Sequence, residues 1–134
     1  MAIVEVEGMW KRYGDVVALE DVSLEVERGG MFCIMGPNGA GKTTLLEGIL
    51  GLRPPDRGVV RLFGVEVGGR PPFDVLRKVG YLLEDMGLDP LLTVWENLKL
   101  VAVINGVRAS HGELKTALEA VGALDYAKRL YGKL

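Results

Sequence analysis

Residues 36 to 44 read Gly-Pro-Asn-Gly-Ala-Gly-Lys-Thr-Thr. Gly36, Gly41, Lys42 and Thr43 match the spacing G-x-x-x-x-G-K-[ST], which is suited to holding a chain of phosphates. Glycines at 36, 39 and 41 open backbone conformations that side chains exclude. Loop N–H groups then turn inward and form an anion nest. The helix that follows adds its positive N-terminal end. Lys42 is placed to reach β- and γ-phosphates, and Thr43 to offer its hydroxyl to Mg²⁺. The plain alternative is a glycine-rich turn with no ligand, but a chance match in a chain this short is roughly one in two hundred.

The flanking elements suit that chemistry. "MFCIM", residues 31–35, is an unbroken apolar run after a glycine pair, which predicts a strand buried on both faces. After the loop, Leu45, Leu46, Ile49 and Leu50 share one helical face and Gly51 supplies a stop. Upstream, Val4 and Val6 alternate with Glu5 and Glu7, and Val22, Leu24 and Val26 alternate with Ser23, Glu25 and Glu27. Both patterns have the period of a half-buried strand. With the turn "YGD" between them they predict an antiparallel hairpin with one wet face.

Downstream, "RPPDRG" reads as a loop, "VVRLFG" and "VEVGG" as short strands, "PPFDVLRK" as a short helix with proline at its start, and "VGYLL" as another buried strand. The texture then turns helical. Thr93 with Glu96, and Ser110 with Glu113, have capping-box spacing. Asn105-Gly106 ends the first of these helices. Leu114, Ala117, Leu118 and Val121 line one face of the second, and "DYAKRLYGKL" predicts the start of a third. No internal repeat or low-complexity segment is visible.

The chain has 134 residues, 49% hydrophobic and 25% charged, with a formal net charge of −2. That is one ordinary globular domain. The basic surplus of a nucleic-acid-binding protein is missing, so no nucleic-acid partner is expected. The single cysteine, Cys33, cannot build an internal disulfide framework and fits a reducing compartment. "MAIVEVEG" lacks the apolar core of a signal peptide, and the longest oily runs are too short to span a bilayer.

Beyond the loop itself, "MGPNGAGKTTLLEGILGLRPPDRGVVRLFG" closely resembles the ATP-binding subunits of ABC transporters. The likeness begins at "KRYGDVVALEDVSLEVERGG" and continues through "VGYLLEDMGLDPLLTVWENL", so it covers essentially the whole chain. The "LRPPDRGVVRLFGVEV" segment is most similar to the branch that serves export permeases.

The resemblance implies an α/β fold of the phosphate-loop NTPase class. It has an N-terminal antiparallel β hairpin, parallel core strands and a helical subdomain, with residues 1–84 as ATP-binding core and 85–134 as helical subdomain. It assigns ATP binding to Gly36, Pro37, Asn38, Gly39, Ala40, Gly41, Lys42 and Thr43, with Thr44 extending the contacts. Tyr13 matches the aromatic that stacks on adenine; without a ligand it is a surface tyrosine at a hairpin turn. Glu84 falls where the family usually has a glutamine that contacts Mg²⁺ and the attacking water. A carboxylate also binds Mg²⁺, but its charge repels the γ-phosphate. Glu84 reads equally as a solvated acid after a strand. The implied partners are a membrane permease subunit, touched by the start of the helical subdomain, and a second nucleotide-binding subunit. The implied place is the cytoplasmic face of the cell membrane. Trp95 is a candidate for the permease contact and equally for helix core.

In the family a signature loop follows the helical subdomain, and Leu134 corresponds to its first residue. Nothing among residues 1–134 matches the rest of that loop, the apolar strand ending in Asp-Glu, or the histidine that senses the γ-phosphate. His111 lies in another region and reads as structural or inert. The sequence therefore predicts an incomplete domain that binds Mg-ATP and hydrolyses it little or not at all. It also predicts that "MFCIM", without neighbours, is an unpaired apolar edge. Two other readings compete. One is a small complete phosphate-loop kinase or GTPase, with Asp85 as metal contact and Glu84 as base. The other is a non-catalytic, nucleotide-responsive interaction module.

Overall fold

The computed structural model describes residues 1–69, 72–82 and 87–134, and the chain divides into two compact units, Met1–Gly80 and Tyr81–Leu134. The first is built on a hairpin of β1 (Ala2–Tyr13) and β2 (Val16–Glu27). β3 (Arg57–Leu62) and β4 (Val65–Glu66) extend it into a four-stranded sheet of order β2-β1-β3-β4. Every pair in that sheet is antiparallel. The alternation read from the sequence is the physical basis of the sheet. Val6, Met9, Leu19, Val60 and Leu62 turn to one face and are buried. On the other face Arg61 meets Glu7 at 2.5 Å and Glu5 at 3.7 Å.

Helix α1 (Lys42–Ile49) closes this core through Leu45. Its Gly48 is buried, and a Cβ there would lie 2.1 Å from Met9 Cε; the missing side chain is what lets the methionine pack against the helix. Val67 and Val75, the latter on the short helix α2 (Phe73–Leu76), complete the cluster.

The second unit is helical. α3 (Val94–Ile104) and α4 (His111–Ala120) each begin with the capping box predicted from spacing. Leu114 and Leu118 of α4 are buried, while Ala117 and Val121, on the same predicted face, are exposed.

Three sequence expectations are corrected. Residues 31–35 form no strand, and Met31 and Met35 are 100% and 87% exposed. A parallel buried strand needs neighbours, and no described residue pairs with this run. Nor is it the open strand edge expected: the run is not a strand, and Ile34 packs against the core cluster. Residues 79–82 of "VGYLL" likewise form no strand, with Leu82 84% exposed, and Leu83 lies outside the described residues. The predicted parallel core strands are therefore not formed among the described residues. Finally, "DYAKRLYGKL" starts no α-helix. It forms two 3-10 turns, Leu124–Tyr126 and Tyr131–Lys133, with a bridge from Leu130 to Thr93 between them. The N–H groups of Val94 and Trp95, left without intrahelical partners at the start of α3, donate to the carbonyls of Arg129 and Ala127 at 3.0 and 2.9 Å. An α-helix through 127–129 would withdraw those acceptors into its own ladder.

Candidate functional site: a phosphate-binding loop

The loop 36–41 sits between β2 and α1. Gly39 and Gly41 have φ of +82° and +92°, the left-handed region that favours glycine. Gly41 occupies the N-cap of α1, with no side-chain cap. The N–H groups of the first turn are thereby left facing the loop, as anion binding at a helix N-terminus requires. Gly41 is also a close-approach site: a Cβ there would lie 2.4 Å from the Ala18 carbonyl oxygen and 3.0 Å from Leu19 Cδ2. At Gly36 a Cβ would meet the Ala40 Cβ at 3.2 Å, so the loop closes tightly on itself.

Lys42, the first residue of α1, folds back over this loop. Its Nζ donates to the carbonyls of Gly36 and Pro37, both at 2.6 Å. The Pro37 carbonyl also accepts from the Ala40 N–H at 3.2 Å. The arrangement is a backbone cradle with an ammonium across it, and it fits a triphosphate. Asn38 is an exposed loop residue, Thr43 is exposed in the first turn of α1, and Thr44 beside it is half-buried. Among the described residues no group of three or more His, Cys, Asp or Glu could hold a metal, so Thr43 is the described candidate for Mg²⁺. Glu84 and Asp85 lie outside the described residues.

Tyr13 ends β1, opposite Val16 across the hairpin turn, and is 40% exposed. Two cations approach its ring, Lys11 Nζ and Arg53 Cζ, each 5.8 Å from the centroid. Sequence reasoning singled out Tyr13 but neither of these neighbours. Residues 13 and 53 are joined only by tertiary folding, and no spacing rule pairs them. Asp56 stitches the same region together: it accepts from the Arg12 N–H at 2.7 Å and from Lys11 Nζ at 3.1 Å. Those two donors hold its carboxyl below the usual aspartate value.

In the second unit Trp95 is half-buried against His111, with ring centroids 4.5 Å apart. They line a groove with Lys115, Leu124, Asp125, Ala127 and Lys128. Among the described residues no helix is long and apolar enough to cross a membrane.

Comparison with known proteins agrees with the loop geometry. The ABC transporter family profile matches residues 19–134. The Nod factor export ATP-binding protein I of Ralstonia nicotianae is 41% identical over 81% of this chain, which spans 33% of that protein. The spermidine/putrescine import ATP-binding protein PotA of Bacteroides thetaiotaomicron is 35% identical over 96% of the chain, which spans 28% of that protein. The chain thus spans about a third or less of the length of these relatives. One of these relatives is named for export and the other for import. A bacterial ABC transporter cassette solved as a dimer superposes with a TM-score of 0.82 over 98% of this chain and 62% of its own, at 26% identity. Loop, hairpin and capped helices together with these likenesses show that the chain belongs to the ABC transporter family, as an ATP-binding, phosphate-loop member.

Proposed function

We propose that this protein is the nucleotide-binding part of an ABC-type transporter, and that residues 1–134 hold Mg-ATP and cleave it little or not at all by themselves. Residues 1–84 serve as the ATP-binding core and 85–134 as the helical subdomain. Gly36, Pro37, Asn38, Gly39, Ala40, Gly41, Lys42, Thr43 and Thr44 cradle the phosphates, and the Tyr13 ring stacks on adenine. The Thr43 hydroxyl and the Glu84 carboxylate hold Mg²⁺, whose chemistry when bound is to neutralise charge on the phosphate oxygens. The observation that carries this reading is the Lys42 ammonium, 2.6 Å from the carbonyls of Gly36 and Pro37, across a loop whose glycines take left-handed φ.

Binding and cleavage separate on physical grounds. Holding a triphosphate needs N–H donors and a cation. Cleaving it needs, in addition, a positioned water, a base and charge neutralisation at the departing oxygen. No match to the family's Asp-Glu strand or switch histidine occurs in residues 1–134. The partners proposed are a membrane permease and a second nucleotide-binding subunit, at the cytoplasmic face of the membrane. The dimeric cassette and the import and export names of the relatives support this.

The test is phosphate release from Mg-ATP, run beside calorimetric binding of ATP, with Lys42→Ala as the control. The expected result is binding that Lys42→Ala weakens tenfold or more, roughly 1.4 kcal/mol or above, with no release beyond the control. Turnover that disappears in Lys42→Ala would overturn the binding-only reading.

A further inference from the structure

The Tyr13 ring is held by residues outside the phosphate loop. A tyrosine at the tip of a hairpin has free side-chain torsions, whereas stacking on a base requires a ring held in one plane. The structure supplies that restraint from α1. Glu47 lies five residues after Lys42 on the same helix, about 7.5 Å along its axis. Its Oε2 pairs with Arg53 Nε at 2.7 Å. The Arg53 backbone is tied to the same residue, its N–H donating to the Glu47 carbonyl at 3.3 Å. Arg53, held twice by the helix that carries Lys42, sets its guanidinium carbon 5.8 Å from the Tyr13 ring centroid. On the hairpin side Lys11 is fixed by Pro54 O at 2.8 Å and by Asp56, and its ammonium stands at the same 5.8 Å from the ring.

A planar cation against a tyrosine face is attracted by the ring quadrupole, and arginine adds stacking that lysine cannot. Lys42 and Glu47 lie on α1, and Arg53 is tied back to Glu47 from the segment that follows it, so the contacts of the ring lead to the helix that carries Lys42. We propose that Arg53, anchored by Glu47, is a positioning residue that holds Tyr13 as a base-stacking platform at a set distance from Lys42, so that the site favours a nucleoside triphosphate over a bare triphosphate chain. The proposal rests on the ATP-binding reading above and adds to it the source of base recognition.

The experiment compares the affinity of the whole protein for ATP with that for inorganic tripolyphosphate, which has no base, in wild type, Tyr13→Ala, Arg53→Ala, Glu47→Gln and the Tyr13→Ala/Arg53→Ala pair. Tyr13→Ala is expected to weaken ATP about tenfold. Arg53→Ala and Glu47→Gln should each weaken it about threefold, all with tripolyphosphate unchanged. Arg53→Ala should add no further loss on the Tyr13→Ala background. Glu47→Gln preserves side-chain size and helix propensity, and keeps the test decisive if Arg53→Ala fails to fold. Lys42-dependent binding of both ligands with an ATP-to-tripolyphosphate ratio unmoved by Arg53→Ala and Glu47→Gln overturns the positioning role and leaves the ATP reading standing. Absence of Lys42-dependent binding of either ligand overturns both.

Discussion

Asn97 and Asp89 exchange two hydrogen bonds: the Asp89 N–H donates to Asn97 Oδ1 at 2.9 Å, and Asn97 Nδ2 donates to the Asp89 carbonyl at 2.9 Å. Asn97 is 3% exposed and is the one buried polar residue in the described core. Its side chain replaces a backbone partner for the loop entering α3, and its amide also reaches the Thr93 carbonyl at 3.2 Å. Asn97→Leu strands the Asp89 N–H, while the Asp89 carbonyl keeps the Leu92 N–H at 3.2 Å. It is expected to cost ~1–3 kcal/mol, read as a lowered midpoint in urea unfolding followed by circular dichroism. An unchanged midpoint would show that water satisfies the loop equally well.

Two loop glycines separate backbone conformation from close approach. Gly39 and Gly41 both have positive φ, but nothing lies within 4 Å of a Cβ at 39, whereas at 41 it would meet the Ala18 carbonyl at 2.4 Å. Gly39→Ala is expected to carry only the left-handed penalty, about 1–2 kcal/mol. Gly41→Ala carries that penalty and also pushes the loop off β2. Calorimetry should find Gly41→Ala to weaken ATP binding at least several-fold more than Gly39→Ala. Equal losses would mean that loop conformation alone sets the affinity.

The two capping boxes predict an acid-sensitive helical unit. Glu96 accepts from the Thr93 N–H at 2.8 Å and Glu113 from the Ser110 N–H at 2.7 Å. The backbone donor, and after it the Thr93 or Ser110 hydroxyl, hold each carboxyl below its ordinary value of 4.5. A carboxyl whose folded value is depressed stabilises the fold above its unfolded value, and that stabilisation is lost as pH falls through the folded value. Helical circular dichroism should therefore decline as pH drops below about 4.5. Glu96→Gln/Glu113→Gln, which keeps neutral acceptors in both boxes, should flatten that decline. An identical acid limb in wild type and variant would place the sensitivity elsewhere.

Cys33 is exposed in a run where Phe32 is 52% exposed and Met31 fully so. A thiol reagent is expected to label one cysteine per chain without denaturant, at a rate close to that of the unfolded chain. Protection by a hundredfold or more would mean that residues 31–35 are paired in solution.

Local chemistry was legible in the sequence. The phosphate loop, the hairpin with its alternating valines and glutamates, and both capping boxes depend on residues only a few places apart, and the structure forms each where spacing predicted it. Family membership followed from the same motifs. Tertiary structure decided whatever needs a distant partner. The apolar run 31–35 reads as a buried strand because composition reports the preference of side chains for burial and says nothing of whether a neighbour is there to pair. The segment after Asp125 reads as a helix, yet its carbonyls at 127 and 129 serve the free N–H groups of α3. The fit of Met9 against Gly48 of α1 likewise joins residues that no spacing along the chain connects. Tyr13 was visible as an aromatic at a turn, but its link to the loop through Arg53 and Glu47 exists only because the hairpin tip and the end of α1 meet in space. Spacing along the chain encodes hydrogen bonds within a turn of helix or a strand pair, while burial and ion pairing between residues forty apart are set by packing.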